Sequence, residues 1–233
     1  MALTLDYSFL TADVVKNNIV PGLVYSLELT LVAMVIGVVI GTLVALMRLS
    51  SIKAFQRFAT VYVDALRSIP LLMVILWFYL LIPPGFYAAI AGQFGLDHRA
   101  EFSAVITFSI FEAAYYSEIM RAGIQSVSRG QVNAGYAVGM TYSQCMRLIV
   151  LPQAFLAMVP VLLMQSINIF KSTSLVYVIG LRDFLTAADL IGGRDNRLTE
   201  MYVLVAAVFF VVCWTASQAV NLLLQRRIGS DHA

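Results

Sequence analysis

Lys171, Ser172, Thr173 and Ser174 place one cation and three hydroxyls inside a long apolar stretch of this 233-residue chain. An ammonium beside hydroxyls is equipped to hold an anionic group such as a carboxylate in competition with water. The same residues admit a structural reading, in which Lys171 snorkels or pairs with Glu112 and the hydroxyls bond their own helix backbone. Glu112 poses the complementary problem. It lies deep in another apolar stretch with no counter-ion on its own helix, so it needs a partner from elsewhere, a proton, or a wet path. Asp64 with Arg67, and Glu118 with Arg121, are spaced three apart and are expected to be structural ion pairs on single helix faces.

No covalent chemistry accompanies these groups. The sequence contains no Gly-x4-Gly-Lys-Ser/Thr loop, no His-Glu-x-x-His and no Gly-x-Ser-x-Gly, so no ATPase site and no catalytic residues are expected. His98 and His232 are too far apart in the chain to suggest a metal site, and Cys145 and Cys213 read as small apolar residues rather than a disulfide. Any energy the protein uses must come from a partner.

The elements that position these residues belong to a bilayer. Hydrophobic residues make up 61% of the chain and charged ones 12%, against about a quarter charged in soluble domains. Five apolar stretches reach the roughly 20 residues a spanning helix needs, at about 21–47, 58–82, 102–124, 153–181 and 201–224. The expected fold is therefore an all-α membrane protein of five transmembrane helices. Arg48, Lys53 and Arg57 in one loop, Arg121, Arg129 and Arg147 in another, and Arg226 and Arg227 after the last stretch place those segments in the cytosol. The other connections are balanced or acidic and face outward, so the N-terminus is expected outside and the C-terminus inside. Residues 1–20 then form an outer segment, with one or two amphipathic turns over 13–19 or a disordered lead-in, residues 21–224 the spanning domain, and 225–233 a cytosolic tail. The apolar run that follows the first twenty residues is too long for a signal h-region, and it is expected to remain uncleaved.

Within this apolar context residues 133–152, NAGYAVGMTYSQCMRLIVLP, are polar-flanked and turn-bearing, as a docking loop would be. The pattern predicts two short helices meeting at Gly139, which supplies a left-handed turn. Thr141 and Gln144 have capping-box spacing for the second helix. Cys145, Met146, Leu148 and Ile149 follow as an apolar stripe, and Pro152 is expected to break the helix.

This segment resembles the cytoplasmic Glu-Ala-Ala loop of permease subunits in ATP-binding-cassette importers, whose pattern is Glu-Ala-Ala, three residues, Gly, nine residues, Ile-x-Leu-Pro. Asn133, Ala134 and Gly135 occupy the first three places, Gly139 the glycine, and Ile149, Leu151 and Pro152 the close. The spacing matches throughout; the acid is replaced by Asn133 and the second alanine by Gly135. RSIPLL at 67–72, FEAAYYSEIMRAGIQSVSRGQ at 111–131, LPQAF at 151–155 and SLVYVIG at 174–180 are similar to the polar amino-acid subgroup, and most similar to glutamate/aspartate import permeases.

The resemblance implies a type I importer permease fold with a periplasmic N-terminus and a loop of coupling helices at about 130–152. It also implies a pair of permease subunits, two cytosolic ATPases that use ATP and Mg, a periplasmic amino-acid binding protein, and a bacterial inner-membrane location. Many relatives carry an acid or Asn after the lysine of the fourth-span motif, where this chain has Ser172, and the more positive site that results suits a dicarboxylic amino acid. Other polar substrates, such as glutamine or a basic amino acid, and a gradient-driven transporter or channel using Glu112 and Lys171, are the competing readings.

Overall fold

The protein is described by a computed structural model covering residues 5–230, with the backbone alone for 223–230. The side chains of Arg226 and Arg227, and His232 with the end of the tail, lie outside the described residues. Among the described residues there is no strand. The helices are α1 (Ala12–Arg48), α2 (Lys53–Ser68), α3 (Leu71–Leu81), α4 (Pro84–Asp97), α5 (Arg99–Ser126), α6 (Arg129–Ala137), α7 (Tyr142–Ile179), α8 (Phe184–Asp195) and α9 (Leu198–Ser230).

Among the described residues three helices are long and apolar enough to cross a membrane: α1, α7 and the Leu198–Leu222 part of α9. A fourth is counted if α2 and α3 form one broken span. Their outer faces are apolar, as a lipid-facing surface must be: Leu27, Leu31, Val35, Val39 and Leu43 on α1, and Phe210, Val211 and Trp214 on α9, are exposed. The predicted third span, 102–124, falls in α5. That helix is buried along much of its length, with Ser103, Thr107, Ser109, Glu112 and Ser117 among its buried residues. A helix shielded from lipid can carry these polar groups, which is why it lacks the apolar signature of the other three.

The first span starts earlier than the apolar stretch predicts. Thr11 caps it by accepting from the Val14 N–H at 3.3 Å, and a π turn at Val15–Ile19 carries the helix on to Pro21. There the Val20 N–H reaches back five residues to the Val15 carbonyl. The fourth span does the same. Pro152 does not break the helix, because a π turn at Met146–Val150 directly precedes it and the Leu151 N–H bonds the Met146 carbonyl. Widening the turn relieves the clash a proline ring makes with the carbonyl four residues back. The second apolar stretch is interrupted: Ile69 (φ −112°, ψ 136°) and Pro70 (φ −59°, ψ 133°) are extended and separate α2 from α3. Proline pushes the preceding residue out of the helical region.

Two compact units form. One contains the chain up to Ala33, Pro70–Phe108 and Ser166–Ala219. Its core joins Ile19, Phe184, Ala188, Ile191, Met201 and Val205. α1 and α8 meet closely here, since a Cβ on Gly22 would lie 2.7 Å from the Asp183 carbonyl oxygen. Buried Ser26 donates to the Gly22 carbonyl and accepts from the Phe184 N–H, each at 3.2 Å. The other unit contains Met34–Ile69, Ser109–Gln165 and the chain from Val220. Val44, Ala59, Val63 and Ala114 are buried together in it. A Cβ on Gly41 would come within 2.9 Å of the α5 backbone, so only glycine lets α1 and α5 approach this closely.

Candidate functional site

The loop at 133–152 folds as an elbow of two helices. α6 ends at Ala137 with Val138 as its C-cap, and Gly139 follows at φ +83°. The Met140 N–H bonds the Gly135 carbonyl at 3.1 Å and the Gly139 N–H bonds the Tyr136 carbonyl at 3.0 Å, the paired closure of a Schellman motif. Two residues later Thr141 caps α7. Its hydroxyl accepts from the Gln144 N–H at 3.3 Å, and the Gln144 side chain accepts from the Thr141 N–H at 2.9 Å. Both ends of the elbow are thus closed by local hydrogen bonds, which makes it stiff.

Packing explains one of the two departures from the Glu-Ala-Ala pattern. Gly135 is buried, and a Cβ there would stand 3.0 Å from both Cys145 Sγ and Ile149 Cδ1. Cys145 is buried, and its thiol points to the Val132 carbonyl at 3.7 Å. Nothing comparable constrains Asn133, which is exposed beside exposed Ala134. Ile149 and Leu151 are half-buried and Pro152 is exposed. Outward from the elbow project Tyr136, Val138, Tyr142 and Leu148, with Val138 77% exposed.

Two buried or half-buried acids of the same unit each gather a group of polar partners. Glu118 is the centre of one: it pairs with Arg121 at 2.8 Å, with Arg67 at 3.5 Å and with Arg48 through a short hydrogen bond. Arg67 therefore meets Glu118, whereas Asp64 forms no salt bridge among the described residues. The Arg67 guanidinium also stands 5.5 Å from the Tyr115 ring centroid, a cation–π contact. The second group is Glu112, 3% exposed, which accepts from the Gln165 side-chain amide at 2.8 Å. Its interhelical partner is thus an amide on α7 rather than a cation. Arg48 and Gln165 were not singled out by sequence reasoning. Arg48 reads as a topology-setting loop charge, and Gln165 could have been found by asking which polar residue of the fourth stretch can serve a buried acid.

Lys171 to Ser174 lie in the first unit, at the change from α-helical to 3₁₀ geometry near the end of α7. Lys171 is exposed. Ser172 donates to the Asn168 carbonyl at 3.0 Å, Thr173 to Phe170 at 2.8 Å and Ser174 to Lys171 at 2.9 Å. The hydroxyl protons are therefore committed to the backbone. The ammonium is left as the donor for an anion, and the half-buried Ser172 and Ser174 oxygens keep lone pairs for a cationic group, whereas Thr173 is fully buried.

No group of three or more metal-ligating side chains occurs among the described residues. Near the N-terminus Asp6 accepts from the Ser8 N–H at 2.9 Å and pairs with Arg197 at 3.1 Å. The Ser8 hydrogen bond first, and Arg197 after it, hold this exposed carboxyl below its ordinary range.

Known proteins match most of this chain. The glutamate/aspartate import permease protein GltK of Escherichia coli O6:H1 is 51% identical over 222 residues, covering 94% of this chain and 99% of that protein. The probable glutamine ABC transporter permease protein GlnM of Bacillus subtilis is 34% identical over 205 residues, covering 88% of this chain and 91% of that protein. A crystal structure of an amino acid ABC transporter with histidines superposes with a TM-score of 0.79 at 35% identity, covering 96% of this chain and all of that one. The family model described as binding-protein-dependent transport system inner membrane component matches residues 37–230. This chain belongs to that family of importer permeases.

Proposed function

We propose that this chain is the translocating subunit of an ATP-driven importer of acidic amino acids, with glutamate and aspartate as substrates. The observation that carries the reading is the stiff elbow at Gly139, which presents Tyr136, Val138, Tyr142 and Leu148 to a partner. Exposed apolar side chains on a loop outside the lipid call for a protein surface to cover them. The identity with the glutamate/aspartate permease supports the substrate.

In this reading the spans are α1, the α2–α3 pair, α5, α7 and α9. The N-terminal segment 1–20 is periplasmic, 21–224 spans the bacterial inner membrane, and 225–233 is cytosolic. A second permease subunit completes the pathway, two cytosolic ATPases consume ATP and Mg, and a periplasmic binding protein delivers substrate. Asn133, Ala134, Gly135, Gly139, Ile149, Leu151 and Pro152 form the coupling loop. With Asn133 neutral, the contact with the ATPase rests on shape and apolar burial rather than on an ion pair. Closure of the ATPases moves the elbow, and the long helices carry that motion to the pathway as a shift between two packed states.

Lys171 is the anion-binding group of the pathway. It meets a substrate carboxylate, and the oxygens of Ser172 and Ser174 accept from the substrate ammonium, while buried Thr173 secures the turn behind them. Glu112, held by Gln165, is a further candidate pathway residue. Lys171→Met removes one charge-assisted hydrogen bond and should lower glutamate uptake about ten-fold in folded protein. Unchanged kinetics would assign Lys171 to structure.

Reconstituted vesicles test the whole reading. With binding protein outside and ATP inside, glutamate accumulates. Accumulation that persists without the ATPase, driven by an ion gradient, would overturn it. Preferential uptake of glutamine or of a basic amino acid would overturn the substrate assignment alone.

A further inference from the structure

The π turn of α1 and one face of α8 enclose a cavity of about 330 Å³ in the first unit. Its polar lining is Asn17, Asn18, Arg182 and Arg194, and none of its lining residues is a carboxylate. Gly22 and Leu190 contribute to an apolar wall. None of these residues belongs to the coupling loop or to the Lys171 segment.

The charge of this site can be summed. Asp195 takes the Arg194 guanidinium in a two-point contact, Nε to Oδ1 at 2.8 Å and Nη2 to Oδ2 at 2.7 Å. That pair is neutral overall and leaves Nη1 of Arg194 free of Asp195. Arg182 is exposed and forms no salt bridge among the described residues. The site therefore carries one uncompensated positive charge. Asn18 gives one amide hydrogen to the Val14 carbonyl at 3.3 Å, which leaves its oxygen to accept. The Asn17 side chain has no hydrogen-bond partner among the described residues, so its donor and acceptor are both open.

We infer that this cavity is a second amino-acid site, a receiving station that binds the acidic substrate before it enters the pathway. A glutamate or aspartate zwitterion has a net charge of minus one, matching the uncompensated Arg182. The carboxylates meet Arg182 and Nη1 of Arg194, the ammonium meets the Asn17 and Asn18 amide oxygens, and the methylenes lie on the apolar wall. The volume is that of a small-molecule pocket, which commonly begins at roughly 300 Å³. A protein partner would need a much broader surface, about 800 Å² on each side. The π turn also suits this use. Its widened backbone turns Asn17 and Asn18 toward one cavity, and such turns recur at binding sites.

The site rests on the acidic-substrate reading, and one set of measurements separates the two. Equilibrium binding of radiolabelled glutamate is measured to the complete permease–ATPase complex in discs of zwitterionic lipid, without binding protein or nucleotide, and glutamate uptake is followed in parallel. Wild type and Lys171→Met should both retain a binding component that Arg182→Gln weakens at least ten-fold and Arg182→Lys weakens less. Glutamine, lacking the second carboxylate, should compete poorly. Uptake of glutamate with no Arg182-dependent binding would overturn this site and leave the transport reading intact. Arg182-dependent binding in a complex that imports no glutamate would overturn the transport reading and leave the site. Glycerol phosphate binding there in place of glutamate would identify a lipid-headgroup site and overturn the proposal.

Discussion

Replacing Gly139 by valine should leave the complex assembled while ATP hydrolysis continues and amino-acid uptake falls. At φ +83° a β-branched side chain collides with its own backbone, at a cost of about 1–2 kcal/mol. No neighbouring atom lies within 4 Å of a Cβ placed there, so the penalty is in the backbone rather than in packing. The chain escapes the strain by unwinding the Schellman closure, which releases the Met140 and Gly139 N–H groups from Gly135 and Tyr136. A strain of this size reduces the population of the native elbow by a factor of about 5–30. Parallel assays of hydrolysis and uptake in vesicles read the effect as a lowered number of molecules moved per ATP. Gly139→Asn should retain more coupling, because asparagine tolerates left-handed backbone better than valine. Coupling unchanged in the valine variant would show that the elbow does not transmit force.

The second large effect is expected at Glu118, which alone offsets three arginines. Glu118→Gln leaves Arg48, with a side chain only 14% exposed, facing Arg67 and Arg121 without an anion. Removing one partner of a buried ion pair costs about 3–5 kcal/mol, and the partial exposure of Arg67 and Arg121 lowers the figure here to about 2–3 kcal/mol. For a chain of this length that is a fall of about 4–12 °C in unfolding temperature. Arg48→Met in the Glu118→Gln background should recover more than half of the loss, because it removes the most buried orphan. A double-mutant cycle on the solubilised complex measures the coupling directly, and a coupling near zero would sink this account.

Local chemistry was the most legible part of the sequence. Gly139, Thr141 and Gln144 announce their turn and cap because those bonds span only a few residues, and the elbow follows the expected pattern. Long-range partners were not legible. Arg67 is spaced to meet Asp64 yet pairs with Glu118, since helix spacing says which groups can meet and tertiary packing decides which do. Hydropathy marked α1, α7 and α9 but misjudged their ends, because helix continues into polar residues wherever a cap or π turn accommodates it. The helix α8 was hidden by its charges. Asp183, Arg194 and Asp195 read as loop, although Asp183 caps the helix through the Leu185 and Thr186 N–H groups at 3.1 and 3.0 Å. Phe184, Ala187, Ala188 and Ile191 also repeat at helical spacing. Weighing the cap with that periodicity would have revealed it.

The π turns before Pro21 and Pro152 each contain one residue more than an α-helix needs, and this fixes the rotational phase of what lies beyond them. One residue of α-helix advances the chain by about 100° and about 1.5 Å. Tightening Met146–Val150 to α geometry with its length unchanged would swing Thr141 and the elbow about 100° around the axis of the span. The face now turned toward a partner would point sideways, with every contact residue still present. The widened turn thus acts as an angular setting: a substitution that relaxes it to α geometry turns the elbow, whereas loss of its one extra residue leaves the phase unchanged.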